Sequence, residues 1–129
     1  MNIFLDDVRP LSAVILPIGQ WKIAKNYEGF CKLVNDIYQK TDGLPTFISY
    51  DHDLADEHYS EEMYGANYND LYKGFKEKTG LDCAKWLIDF CIDKDLKMCN
   101  FQVHSMNPVG KQNIQTILTN FIKFQKRET

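Results

Sequence analysis

Three short groups of polar residues follow apolar runs in this chain, and their types suit phosphate chemistry. Asp6-Asp7 follows Asn2–Leu5, and Asp51-His52-Asp53 follows Thr46–Tyr50. The third group, His104-Ser105-Met106-Asn107, closes the run Asn100–His104. Four carboxylates brought to one point repel each other, so they need a cation or raised pKa values. A hard divalent ion with oxygen ligands and retained water meets that need, which makes Asp6, Asp7, Asp51 and Asp53 candidate ligands for Mg²⁺ or Mn²⁺. An isolated acidic pair is commonly a turn or a cap. Two acidic groups, each directly after an apolar run, form a stronger pattern. His52 and His104, two of the three histidines, stand in the same groups. A lone histidine is usually structural, but two imidazoles at converging chain ends can act as acid and base on a phosphoester. Asp51, His52 and His104 are therefore the candidate catalytic residues.

The segment Asn107-Pro108-Val109-Gly110-Lys111 adds complementary chemistry. Asn107 can cap a helix and Pro108 suits its first turn, where no N–H is needed. A helix N-terminus offers backbone N–H groups and a favourable dipole to an anion. Gly110 would let a ligand approach closely, and Lys111 and Arg9 would add positive charge. With Ser105 and Asn107 these residues make a candidate phosphate slot opposite the metal. The plain alternative is an ordinary strand-to-helix turn.

Positioning these groups requires strands that end together. Asn2–Leu5, Gln20–Ala24, Thr46–Tyr50 and Asn100–His104 read as four strands. Three segments carry the one-sided stripe of a helix laid on a core: Phe30, Leu33, Val34, Ile37 and Tyr38; Ala84, Leu87, Ile88, Cys91 and Ile92; and Ile114, Ile117, Leu118, Phe121 and Ile122. Asn26 can cap the first, and Asp82 stands near the start of the second. Strands separated by helices predict a parallel sheet with right-handed crossovers, and ligands of such sheets bind beyond the carboxyl ends of the strands. The link Asp6–Gly19 holds Pro10 and Pro17 and reads as an irregular crossover rather than a helix.

Residues 55–80 do not fit that plan. They carry Tyr59, Tyr64, Tyr68 and Tyr72, four of the seven tyrosines. So long an insertion is uncommon in a compact domain and usually functional, so it is expected to be a lid whose tyrosines can stack on a base. The other possibility is a surface loop.

The whole chain, 129 residues, has the size of one domain, residues 1–129. Its 15 Lys+Arg and 18 Asp+Glu give a net charge of −3, which argues against a polybasic protein and against an acidic solvating tail. A hydrophobic content of 44% argues against disorder. The apolar runs are too short for a membrane span, the start MNIFLDD does not read as a secretory signal, and none of the four cysteines pairs as CxxC. Reduced, buried cysteines and a cytoplasmic location are the expectation. The C-terminal run Lys123-Phe124-Gln125-Lys126-Arg127 reads as a solvated helix end.

The blocks IFLDDVRP, SYDHDLAD and VHSMNPVGKQN together resemble the cyclic-phosphate-processing receiver-like domains, relatives of response-regulator receivers with bacterial and phage members. The resemblance spans nearly the whole chain. It implies an α/β fold: a three-layer, shortened receiver-like (flavodoxin-like) parallel sheet of about four strands, with the insertion added. It also implies action on cyclic phosphates of nucleotides or RNA ends as partners, with no membrane. Asp6 and Asp7 match a receiver's metal-binding pair, Asp51 its phospho-acceptor, and Ser105 its switch hydroxyl. No fifth strand ending in Lys-Pro is present, so the phosphate-pairing lysine is missing, and the first crossover helix is lost or shortened. Ala55 stands where the family often has glycine. Three readings follow: a metal-assisted phosphoesterase, a module that binds a cyclic or phosphorylated nucleotide without turnover, and a phospho-accepting receiver. The missing lysine weighs against the last.

Overall fold

The computed structural model describes residues 1–54 and 78–127. Its strands are β1 (Asn2–Leu5), β2 (Trp21–Ala24), β3 (Phe47–Tyr50) and β4 (Asn100–Val103). Its helices are α1 (Tyr27–Thr41), α2 (Gly80–Lys94) and α3 (Pro108–Arg127), with a short 3-10 turn at Leu11–Ala13. All four strands are parallel, in the order β2-β1-β3-β4. This is the α/β receiver-like sheet expected, with each strand within a residue of its anticipated bounds. The insertion and its tyrosines fall almost entirely on residues 55–77, outside the described residues.

Register sets the level at which the polar groups emerge. Leu5 pairs with Ala24 and with Tyr50, and Tyr50 pairs with Val103. The next residue of each strand extends the ladder by one bond. Asp6 N–H donates to Ala24 O (3.0 Å), Asp51 N–H to Leu5 O (2.9 Å) and His104 N–H to Tyr50 O (2.9 Å). Asp6, Asp51 and His104 thus leave the sheet side by side.

The strands alternate cleanly between faces. Ile3, Leu5, Ile48, Tyr50 and Val103 share one buried cluster with Phe30 and Val34 of α1, Leu87 and Cys91 of α2, and Ile114 and Leu118 of α3. Each large apolar side chain buried there stabilises the fold by about 1.5–3 kcal/mol. The intervening residues Phe4, Ser49 and Gln102 form a row across the other face, in register Phe4 to Ser49 to Gln102. The expected third layer is not built from helices among the described residues. The segment between β1 and β2 lies on that face instead, with Gln102 Nε2 donating to Ile15 O (3.1 Å) and Trp21 Nε1 donating to Pro17 O (3.1 Å). With Pro10 and Pro17 inside it, this connection is long enough to cross over but too proline-broken for a crossover helix.

The helix starts match their chemistry. Asn26 Oδ1 accepts from Gly29 N–H (2.8 Å) at α1. Thr79 rather than Asp82 caps α2, and Asp82 completes a reciprocal capping box by accepting from Thr79 N–H (2.8 Å). Asn107 Oδ1 accepts from Gly110 N–H (3.0 Å) at α3. All four cysteines are free thiols, Cys83 and Cys91 buried. Burial pushes the Cys91 and Cys99 thiols up to about 12, so they behave as packing groups.

Two glycines let helix starts touch the end of β3. Gly80 N–H donates to His52 O (2.7 Å), and a Cβ on Gly80 would collide with the Asp51 carbonyl oxygen and lie 2.8 Å from its carbon. The obstacle is backbone, which cannot rotate away. Gly80→Ala is expected to cost about 3 kcal/mol or more in urea unfolding. Gly43→Ala, whose Cβ would meet only Thr41 at 3.7 Å and beyond, should stay within about 1 kcal/mol of wild type. Equal behaviour of the two variants would show that the α2 start does not hold the Asp51 backbone.

Candidate functional site

The polar residues at the strand ends resolve into two hydrogen-bonded groups rather than one slot. The first surrounds Asp6, which is buried. Its Oδ1 accepts from the backbone N–H of Val8 (2.9 Å) and of Arg9 (2.8 Å). Its Oδ2 accepts from Arg9 Nη1 (3.1 Å) and lies 3.0 Å from His104 Nε2. Arg9 Nη1 also donates to His104 O (3.4 Å) and lies 3.9 Å from Asp51 Oδ1. Asp51, 1% exposed, accepts from His52 N–H on the same oxygen (2.8 Å). One ligand atom each from Asp6, Asp51 and His104 fall within 4.8 Å of one another.

The second group lies on the helix side. His52 is fully buried, and its Nδ1 is 2.8 Å from Asp53 Oδ1. Asn107 Nδ2 donates to the same Asp53 oxygen (3.4 Å). Ser105 Oγ accepts from Asn107 N–H (3.1 Å). A Cβ on Gly110 would collide with the His52 ring, lying 2.6 Å from its Cδ2.

Several expectations change as a result. The structure brings Asp6 and Asp51 together as anticipated, but the third donor beside them is His104 and not Asp7 or Asp53. Asp53 is turned to His52 and Asn107, and Asp7 is half-buried outside the cluster. His52 is fully buried, with Gly110 of α3 against its ring and Asp53 on its Nδ1, and it is not among the three clustered donors. Gly110 makes room for that imidazole rather than for a ligand. The first-turn N–H groups of α3 are largely used, Gly110 N–H by the Asn107 side chain and Lys111 N–H by Asn107 O (2.9 Å). Lys111 sits half-buried in that turn.

Strand alternation, applied one residue past each strand, would have found this division. Leu5, Tyr50 and Val103 face the helices, so Asp6, Asp51 and His104 fall on the opposite face, while Asp7, His52 and Ser105 fall on the helix side. Phe4, Ser49 and Gln102, which no sequence motif marks, hold His104. The His104 ring stacks on Phe4 with centroids 4.7 Å apart and planes 4° apart, and its Nδ1 is 2.7 Å from Ser49 Oγ. A serine inside Phe-Ile-Ser-Tyr, where burial wants an apolar residue, was the available signal.

The two aspartates are driven apart electrostatically. Burial alone would raise Asp6, but the His104 hydrogen bond, the two backbone N–H donors and the Arg9 charge outweigh it and hold Asp6 below the usual carboxylate range. Burial, then the Asp6 charge, push Asp51 up to about 6, against the pull of His104, Arg9 and the His52 N–H. A carboxyl raised in the folded state favours folding while protonated. That stability is full below the unfolded value near 4 and is lost as pH rises through about 6. In EDTA, Asp51→Asn is therefore expected to stabilise the protein at pH 8, by on the order of 2–3 kcal/mol for a shift of about two units. The gain should shrink through pH 6 and vanish below pH 4. Urea unfolding across that range checks it; a gain independent of pH would mean that Asp51 carries no raised pKa.

A parallel sheet whose neighbouring strands end in buried aspartates, backed by helices on one face, defines a receiver-like domain. The chain belongs to the family of cyclic-phosphate processing receiver domains, whose model matches residues 1–120. No curated protein and no solved structure matches it. Among the described residues, no helix is long and apolar enough to cross a membrane.

Proposed function

We propose that this domain opens the cyclic phosphate of a nucleotide or RNA end as a phosphoesterase assisted by a divalent ion. The observation that carries the reading is the cluster of Asp6, Asp51 and His104 donor atoms at the strand ends, with the Arg9 guanidinium beside it. Neighbouring octahedral ligands about 2.1 Å from one ion lie about 3 Å apart. Asp6 Oδ2 and His104 Nε2 stand 3.0 Å apart, and donors of all three residues lie within 4.8 Å of one another. Two carboxylates suit Mg²⁺ or Mn²⁺, and the imidazole tilts the set toward Mn²⁺. Such an ion supplies polarisation of a phosphoryl oxygen and a more acidic water.

The chain's own groups do the rest. Arg9, whose side chain is 24% exposed, reaches both carboxylates from the mouth of the site and is placed to neutralise a phosphoryl oxygen. In hydrolysis a water oxygen bonds to phosphorus, one ring P–O bond breaks, and the leaving alkoxide takes a proton. With His104 Nε2 spent on the ion, that proton would come from the attacking water, passed through solvent. His52 keeps Asp53 and the start of α3 in place. Phosphorus NMR of 2′,3′-cyclic nucleotides and cyclic-phosphate RNA ends tests the reading. Ring opening is expected with Mn²⁺ and not with EDTA, and no turnover of either substrate with metal would sink it.

Arg9 competes with the ion for Asp6 and Asp51, so Arg9→Gln should separate the two functions of the site. Divalent affinity by calorimetry should rise, while kcat/KM falls by about 100-fold or more. A variant that binds the ion more weakly than wild type would contradict the competition.

One observation favours a second reading, capture without turnover. With His52 buried apart from it, the cluster holds one imidazole among the described residues where two were expected. Recovery of bound, unchanged cyclic nucleotide under the same conditions would establish it.

A further inference from the structure

His104 is held more closely than a strand-end residue requires. Phe4 supports its ring face to face, and the ring edges meet Ser49 on one side and Asp6 on the other. Ser49 is fully buried on β3. Gln102, its register partner on β4, donates from Nε2 to Ser49 Oγ at 3.0 Å. The same nitrogen donates to Ile15 O at 3.1 Å, and a carbonyl can only accept. The amide orientation is thereby settled, and both Gln102 hydrogens are used.

Ser49 Oγ thus receives a hydrogen from Gln102 and keeps one of its own, with one lone pair to spare. The Asp6 carboxylate is surrounded by donors: Val8 N–H, Arg9 N–H and the Arg9 guanidinium. Opposite such an acceptor, His104 Nε2 carries a hydrogen, and in the neutral ring Nδ1 is bare. Only a donor satisfies Nδ1 in that form. Ligation of an ion through Nε2 demands the reverse, a bare Nε2 and a hydrogen on Nδ1, which only an acceptor satisfies. A hydroxyl oxygen serves both from one position, whereas a methyl serves neither.

We propose that Ser49, oriented by Gln102, is the positioning residue for His104, donating to Nδ1 while Nε2–H faces Asp6 and accepting from Nδ1–H when Nε2 turns its lone pair to the site. Between the two forms one proton leaves Nε2 for water and one from water reaches Nδ1, so the ring stays neutral. The inference deepens the proposed function and rests on it for the ion-bound form. The ion-free form rests on the hydrogen bonds alone.

The test is ring nitrogen-15 NMR of His104 in the full chain, without metal and then with Zn²⁺ as a diamagnetic probe. Without metal, the hydrogen is expected on Nε2 and Nδ1 is expected bare. With Zn²⁺ the hydrogen should appear on Nδ1. Ser49→Ala should shift the metal-free Nδ1 resonance as its hydrogen bond is lost, and should weaken Zn²⁺ binding by about 10- to 100-fold. Ser49→Thr should restore both, and Gln102→Leu, which leaves the hydroxyl in place, should weaken binding less. A hydrogen on Nδ1 without metal, or an unchanged Nδ1 resonance in Ser49→Ala, overturns the proposal. So does unchanged Zn²⁺ affinity in that variant. If the wild-type chain takes up no Zn²⁺, the metal reading of the site fails, and the metal-free spectra alone decide the role of Ser49.

Discussion

Two buried carboxylates that leave neighbouring parallel strands at the same level must repel, and the strand ends are arranged around that repulsion. Asp6 and Asp51 follow Leu5 and Tyr50, which are paired in register. Asp6 collects two backbone N–H groups, a guanidinium and an imidazole. Asp51 receives the His52 N–H and, at 3.9 Å, the edge of Arg9. The donors hold Asp6 below the usual carboxylate range, and burial, then the Asp6 charge, raises Asp51 to about 6. Titratable groups driven apart by their surroundings are a common feature of sites that move protons or hold cations. Structural ion pairs do the same, so the electrostatics gain weight from the third donor, His104, and from the family to which the chain belongs.

The fold supports this pair from both faces by different means. On the helix side the start of α2 presses Gly80 onto the Asp51 carbonyl, and the start of α3 brings Gly110 against the His52 ring. Two close approaches therefore fix the backbone from Asp51 to His52. On the opposite face no helix is present among the described residues. The polar row Ser49 and Gln102 ties that face to the Asp6–Gly19 link through Ile15 O, and Phe4 gives His104 a flat support. A thin irregular layer over the sheet is compatible with polar side chains at Ser49 and Gln102. A packed helix there would require apolar ones.

The sequence made the fold legible because its signals are local. Three apolar runs, the alternating run Gln20–Ala24, three helical stripes and the caps Asn26 and Asn107 all appear where their patterns place them. That the Asp6–Gly19 link carries no crossover helix was partly legible in Pro10 and Pro17. At the site, the clustering of Asp6 with Asp51 followed from strands ending in acids. The division of the remaining residues did not, because neighbours in sequence were taken as neighbours in space. Asp51-His52-Asp53 reads as one unit, yet the pleat sends Asp51 and His52 to opposite faces. Ser49 and Gln102 were invisible for a different reason: their role is to hold another side chain, and no spacing rule marks that.

The same alternation separates the two histidines, which look equivalent in sequence. His52 stands two residues past Tyr50 and so falls on the helix side, fully buried with Gly110 of α3 against its ring. His104 stands one residue past Val103 and falls on the thin side, beside Arg9 and Asp6. A nitrogen that exchanges protons or meets an ion must reach the site without unpacking a helix. His104 meets that condition, and His52 does not while α3 stays seated. The Asp6, Asp51 and His104 donors therefore lie on the face away from the helices, where, among the described residues, the Asp6–Gly19 link carries Arg9 beside them. The helix N-terminus, which draws the eye first in a sheet of this kind, is occupied with keeping the backbone next to Asp51 in place.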